Sequence, residues 1–452
     1  MGAITKNTGL SAALSFWDGV AIVVGTVIGS GIYLVPGNIA RQIPSPPMVM
    51  LIWLAGGLLT LFGALSLAEL GAAYPGAGGL YVYLRAAYGR PVAFLYGWGL
   101  LTLIHSGSIA TLAVAFGLYL SQLLGLSPAG QKLASAAAIL LMTVVNLFGL
   151  QSGKLVQNIV TCCKGGGIAL LVIMLLSAGG TAKASSAQAP VAGPPMILGI
   201  GAALVAVLWA YEGWHVVSFT AAEFRNPRRD LPRSLSWGAL ALAGIYLVAN
   251  ISYYHVLSPA QLQATDRAAA TAVGAAYGGP ATNLVTCLIV VSILGSINGM
   301  TLTGPRVYFA MARDGLFFRS FGRLSAGSQA PNVAIVVQGI WSMILALAGS
   351  FQQLFTYVVF TAWIFYGIAV FAVIVLRRRE ANLDRPYRVP AYPFVPILFV
   401  AAAGFIVAIT IANEPMQALY GIGLILTGLP LYWFAFHVKE ASGSAAETSV
   451  EQ

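Results

Sequence analysis

Apolar residues are gathered along this chain into blocks of roughly 20, the length a helix needs to cross a bilayer. Such blocks fall at about 14–36, 48–73, 91–120, 132–150, 155–178, 197–222, 235–257, 282–310, 332–349, 354–376, 394–412 and 416–436. The pattern predicts an all-α polytopic membrane protein with twelve transmembrane helices. The first block is interrupted: Gly25 to Gly31 reads Gly-Thr-Val-Ile-Gly-Ser-Gly. A spanning helix broken by glycine frees backbone groups where water cannot reach them. Such a break persists only where it is buried in protein or lines a cavity holding something polar, near mid-membrane. Span 6 carries a second interruption, Leu208-Trp209-Ala210-Tyr211-Glu212-Gly213-Trp214-His215. If spans 1–5 and 6–10 are two halves, the breaks occupy matching positions, which points to an inverted repeat. The chain therefore divides into one transporter domain, 1–441, with repeat 1 at about 14–178, repeat 2 at about 197–376 and two extra helices at about 394–436. Residues 442–452 are expected to be a disordered tail.

Composition agrees. With 58% hydrophobic and 8% charged residues and a mean hydropathy of +0.84, the chain cannot clothe a soluble globule in charge. Its net charge of +10 raises the question of nucleic acid, but the basic residues sort by side. With a cytoplasmic N-terminus, that side holds eighteen Lys and Arg, among them Arg225, Arg228, Arg229, Arg233, Arg306, Arg377, Arg378 and Arg379. The opposite loops hold four: Arg41, Lys132, Lys183 and Arg267. This is the positive-inside distribution, and it places both termini in the cytoplasm. The basicity is topological, and no nucleic-acid partner is expected. Cys162, Cys163 and Cys287 fall within spans as apolar fillers, no metal-ligand spacing exists, and no cofactor is expected. The first span lacks a trailing cleavage motif and reads as retained.

The breaks suggest chemistry. Free amides of Gly29, Ser30 and Gly31 at the start of a half-helix favour an anion, and a carboxylate fits. Carbonyls of Val27, Trp209, Ala210 and Glu212 lack helical partners and suit an ammonium group. Together they describe an α-amino acid; the competing reading of Gly25, Gly29 and Gly31 is a helix-packing face. Lys164 lies about 15 Å by helical rise beyond Lys154, too deep to snorkel with ease, so it needs partners. An ammonium there takes the place of a bound sodium ion, donating to carbonyls of broken span 1 and to hydroxyls such as Ser292. Glu212 has three open roles: pairing a cationic substrate side chain, exchanging a proton, or bonding a neighbouring helix. His105 and His215 read as interior histidines, Asp18 as a helix-start complement; Ser106, Ser292 and Asn298 are pocket candidates. The stretch 69–89 suits a gate region. The stretch 223–233 reads either as a polar turn or as part of an inward gate.

These same residues carry a resemblance. GTVIGSGIY at 25–33, AELGAAYPGAGGLYVYLRAAYG at 68–89, the stretch 158–164, AYEGW at 210–214, EFRNPRRDLPRS at 223–234 and GSINGMTLTGPRVYFAMARDG at 295–315 resemble the L-type amino acid transporters of the amino acid, polyamine and organocation superfamily, over essentially the full length. The resemblance implies a LeuT-type fold of five plus five inverted helices with two more, helices 1 and 6 unwound, sodium-independent transport and usually obligatory exchange. In its terms Ser30 and Gly31 match carboxylate binders, and Val27 and Trp209 the amine-binding carbonyls. Trp209 also matches the outer aromatic gate, beside the helix-break positions Gly25, Thr26, Gly29 and Gly213. Lys164 matches the lysine at the superfamily's sodium site. Glu212 stands where many neutral-amino-acid members have glycine and resembles members that also accept cationic substrates. The 120–131 loop lacks the cysteine that joins animal members to a glycoprotein, so no disulfide-linked heavy subunit is expected of this prokaryote-type carrier. The expected function is a plasma-membrane exchanger of neutral and cationic amino acids. The alternatives are a proton-coupled importer, an exporter, a polyamine carrier, and a sensor or channel on the same scaffold.

Overall fold

The computed structural model describes residues 12–179 and 195–437. The predicted tail, 442–452, and Lys183 lie outside the described residues. Ser15 and Asp18 form a capping box that opens α1, Phe16–Val27. After a break, α2 runs Gly31–Gln42, bent 46° from α1. Proline at the first turn starts α3, Pro46–Ala73. A short α4, Leu80–Tyr88, leads into α5, Arg90–Gly99, which continues through a π-helical turn at Leu100–Ile104 into α6, His105–Leu124. Then come α7, Pro128–Leu147, and α8, Leu150–Ser177.

The second half opens with α9, Met196–Ala210, then a turn and a 3-10 segment, Val216–Glu223. It continues with α10, Pro227–Val256; two short helices, α11, Pro259–Gln263, and α12, Ala268–Tyr277; α13, Gly279–Thr303; α14, Pro305–Arg313; α15, Asn332–Ala348; and α16, Phe351–Arg379. The described residues end with α17, Phe394–Asn413, α18, Pro415–Leu426, α19, Gly428–Tyr432, and a π-helical turn, Trp433–His437.

Among the described residues nine helices are long and apolar enough to cross a membrane, and the bent α1–α2 pair makes a tenth span. The predicted spans 6 and 9 appear as the shorter apolar helices α9 and α15. Predicted span 6 departs from a helix–break–helix pattern because its second half is 3-10 rather than α. There the Phe219 carbonyl accepts from the Gly78 amide at 3.1 Å, and the Glu223 carbonyl from the Leu14 amide at 2.8 Å. These tertiary bonds occupy acceptors and hold the segment against its neighbours. The loop predicted between spans 7 and 8 contains α11 and α12.

The two ends of the bundle differ in chemistry. One end carries Arg85, Arg306, Arg377 and Arg385, paired with Asp314, Glu223 and Glu69. The other carries Arg41 on Asp266, Arg267 donating to Gln122, and Lys132 donating to the Leu347 carbonyl. Large apolar side chains such as Leu133, Ile173, Trp237, Phe394 and Phe434 are exposed, as an outer surface dissolved in lipid requires.

Candidate functional site

The two breaks meet. A β-carbon built on Gly31 would lie 2.4 Å from the Ala210 α-carbon, so only glycine lets the start of α2 touch the end of α9. The Gly213 backbone, with φ +106°, turns the chain out of α9 in a conformation that glycine adopts without penalty.

Around the first break the carbonyls of Gly25, Val27 and Ile28 each have a side-chain donor. Lys164 Nζ reaches the Gly25 carbonyl at 2.5 Å and Ser296 Oγ at 2.7 Å. The Ile28 carbonyl accepts from Ser292 and Ser296, at 3.2 and 3.1 Å. The Tyr246 hydroxyl spans both breaks, at 3.1 Å from the Val27 carbonyl and 3.0 Å from the Ala210 carbonyl. Tyr253 and Tyr119 reach the carbonyls of Ile32 and Tyr33 in the same way. The amides are treated differently. Among the described residues the amides of Gly29, Ser30 and Gly31 donate to no backbone group, and the buried Ser30 hydroxyl has no partner. This is the donor-rich half-helix start that the sequence predicts.

Two geometric expectations change. The hydroxyl under Lys164 is Ser296 and not Ser292, because the lysine stem crosses the space above Gly295, where a β-carbon would sit 2.8 Å from Cε. The Trp209 carbonyl is not left without partners: it accepts from the Tyr211 and Glu212 amides as the chain tightens into a turn. Of the three roles open to Glu212, a bond to a neighbouring helix is present. Its Oε1 accepts from the Tyr366 hydroxyl on α16 at 2.6 Å, with His215 Nδ1 at 4.0 Å and the same hydroxyl 3.2 Å from His215 Nε2. Among the described residues the buried Thr26 and Ser106 hydroxyls and Trp209 Nε1 have no hydrogen-bond partner. His105 bonds the Met300 carbonyl at 2.9 Å, and Asn298 links Asn146 and Gln157.

On the Asp266 side, Trp209 stacks on Phe355 and meets Phe351 edge-on, each with centroids 6.2 Å apart. Those two phenylalanines, with Asn38, Arg41, Gln122 and Arg267, line a cavity of about 710 Å³. The arginine-rich side is laced by ion pairs. Glu223, fully buried, holds Arg306. Glu69 receives two bonds from Arg377, at 2.8 and 2.6 Å, and the Val389 amide at 2.7 Å. Tyr81 donates to Asp314 at 2.8 Å, beside Arg85. Burial, together with the Asp314 carboxylate, pushes the Tyr81 phenol well above its usual range, which keeps it a donor. Leu14 pairs its backbone with Glu223 and Arg225, lacing the start of α1 to the segment before α10.

Sequence reasoning missed the tyrosine donors, Ser296 and the Phe351–Phe355 pair. The seven-residue spacing of Tyr246 and Tyr253 within an apolar span was the available signal.

Residues 14–436 match the family model described as amino acid permease. The chain is 33% identical to the serine/threonine exchanger SteT of Bacillus subtilis over 95% of this chain and 98% of that protein. It is 32% identical to the b(0,+)-type amino acid transporter 1 of Mus musculus, over 96% and 90%. It is 28% identical to the human cystine/glutamate transporter, over 94% and 85%. These relatives are membrane transporters and not enzymes. A chain with these spans, two touching breaks and this end-to-end similarity belongs to the amino acid permease family, as an L-type member of the amino acid, polyamine and organocation superfamily.

Proposed function

We propose that this protein exchanges amino acids across the plasma membrane by alternating access, without sodium, with both termini in the cytoplasm. The observation that carries the proposal is the contact of the two breaks at Gly31 and Ala210, which sets unpartnered amides beside a pair of carbonyls. The α-carboxylate binds at Ser30 and Gly31. The ammonium binds toward the Val27 and Ala210 carbonyls, each of which has a second lone pair beyond the one Tyr246 uses. Trp209 closes over the substrate from the side of the larger cavity, and the Glu223–Arg306 and Glu69–Arg377 pairs close the other side. The twelve spans form the five-plus-five repeat with α17 and the α18–α19 segment peripheral. Lys164 fills the position a coupling ion would hold, tying α8 to α1 and α13. No glycoprotein partner is needed.

Neutral substrates are favoured, because Glu212 already accepts a hydrogen bond from Tyr366; cationic ones require that carboxylate to turn from Tyr366 toward the substrate. The buried Glu212–Tyr366–His215 cluster favours one second reading, a proton-coupled importer in which Glu212 changes protonation. The test is uptake of labelled leucine, alanine, serine and arginine into proteoliposomes with and without internal amino acid, at matched pH and without sodium. Exchange predicts uptake only into loaded vesicles. Uptake into empty vesicles that rises with an inward proton gradient overturns exchange in favour of the importer.

A further inference from the structure

The outward stripe of α10 changes character along its length. Arg229, Arg233 and Trp237 follow one another at four-residue spacing, all exposed, with Trp237 60% accessible. Beyond them the stripe passes Gly244, where a β-carbon would meet nothing within 4 Å, to exposed Val248 and Ile251. Charge, then indole, then a shallow aliphatic track is the order of a phospholipid read from headgroup to acyl chain. Among the described residues neither guanidinium has a carboxylate or hydrogen-bond partner, although Arg228 beside them is paired with Asp384 at 2.8 Å. Two planar donors one turn apart suit a phosphodiester, and basic residues at this level attract an anionic leaflet.

We propose that this face of α10 binds an anionic phospholipid, with the phosphate between Arg229 and Arg233, Trp237 at the glycerol level and one acyl chain lying over Gly244 toward Val248 and Ile251. The opposite face of the same helix carries Tyr246, whose hydroxyl holds the Val27 and Ala210 carbonyls. The helix also packs tightly on α1: a β-carbon on Gly238 would lie 2.5 Å from Val23, and one on Gly19 2.3 Å from Ser234. A lipid that fixes α10 therefore acts on the geometry of both breaks. This places a regulatory lipid outside the transport path.

The test is native mass spectrometry of protein released from nanodiscs of equal phosphatidylglycerol and phosphatidylcholine. Wild type is expected to retain one more phosphatidylglycerol than the double variant Arg229→Gln/Arg233→Gln. The double variant Arg319→Gln/Arg378→Gln, which removes the same charge from exposed sites at the same end of the bundle, is expected to match wild type. Equal loss in both doubles, retention in both, or equal retention of the two lipids overturns the site. Monodispersity and melting temperature confirm that the variants fold. A second arm rests on the proposed exchange activity: exchange in phosphatidylglycerol vesicles is expected to exceed that in phosphatidylcholine several-fold in wild type, and the excess to vanish in Arg229→Gln/Arg233→Gln. Vesicles in which wild type does not exchange at all count against the transport reading, while the lipid count decides the site independently.

Discussion

At the scale of single residues the site depends on close approach and on donors. Gly31 has no room for a side chain: its β-carbon would sit 2.4 Å from a backbone atom of α9, which cannot swing away as a side-chain tip can. Gly31→Ala is expected to reduce exchange at least about tenfold, a change of about 1.4 kcal/mol. Gly166→Ala, on the same scale of chemistry but with nothing within 4 Å, is expected to leave the rate near wild type. Equal activity in the two variants would show that the breaks do not need to touch. Lys164 makes a similar contrast possible. Its ammonium bonds both the Gly25 carbonyl and Ser296, whereas the Ile28 carbonyl under Ser296 keeps Ser292 as a second donor. Lys164→Ala, which leaves the Gly25 carbonyl buried and unpaired, is expected to abolish measurable exchange. Ser296→Ala is expected to cost only a few-fold, since a net hydrogen bond contributes about 1 kcal/mol. Initial uptake rates normalised to protein in the membrane check both.

At the scale of elements, what was legible in the sequence was the defect, and what was not was its repair. Glycines and a carboxylate inside otherwise apolar spans pointed to breaks at 25–31 and 208–215, with a helix-packing face as the competing reading of the first. The donors that satisfy those breaks come from α8, α10 and α13, and their pairing depends on how one helix is rotated against another. A single sequence does not state that rotation, so nothing in it says which way Tyr246 points, and Ser292 and Ser296, one turn apart, cannot be told apart by sequence alone. The same holds for Glu212, whose partner, the Tyr366 hydroxyl, lies on the distant α16. The stretch 223–233 reads as either a turn or a gate, and the burial of Glu223 against Arg306 was not legible because its partner lies on α14. Removing one member of such a pair leaves a charge uncompensated in a dry site, which costs about 3–5 kcal/mol. Glu223→Gln is therefore expected to lower the melting temperature in detergent markedly. The double variant Glu223→Gln/Arg306→Met is expected to recover most of that loss, because no buried charge remains. A double variant no more stable than the single one would mean that the pair does not act as a unit.

At the scale of the whole molecule, the two ends predict which faces the outside. The end with Arg41, Lys132, Asp266 and Arg267 holds the 710 Å³ cavity above Trp209, and the end with the buried ion pairs holds most of the basic residues. If, as proposed, the second end is cytoplasmic by the positive-inside rule, the cavity faces outward and the ion pairs close the inner side. Asp266 and Asp384 report on these two ends, with side chains 84% and 70% exposed. Each sits beside one exposed arginine, so replacing it removes little stability. In a background with Cys162, Cys163 and Cys287 replaced by alanine, Asp266→Cys is expected to react with a membrane-impermeant maleimide on intact cells. Asp384→Cys is expected to react only after permeabilisation. The reverse pattern would invert the molecule, turning the cavity toward the cytoplasm and making the Glu223–Arg306 and Glu69–Arg377 pairs an outer gate. Labelling of both positions on intact cells would break the link between charge and side on which the orientation rests.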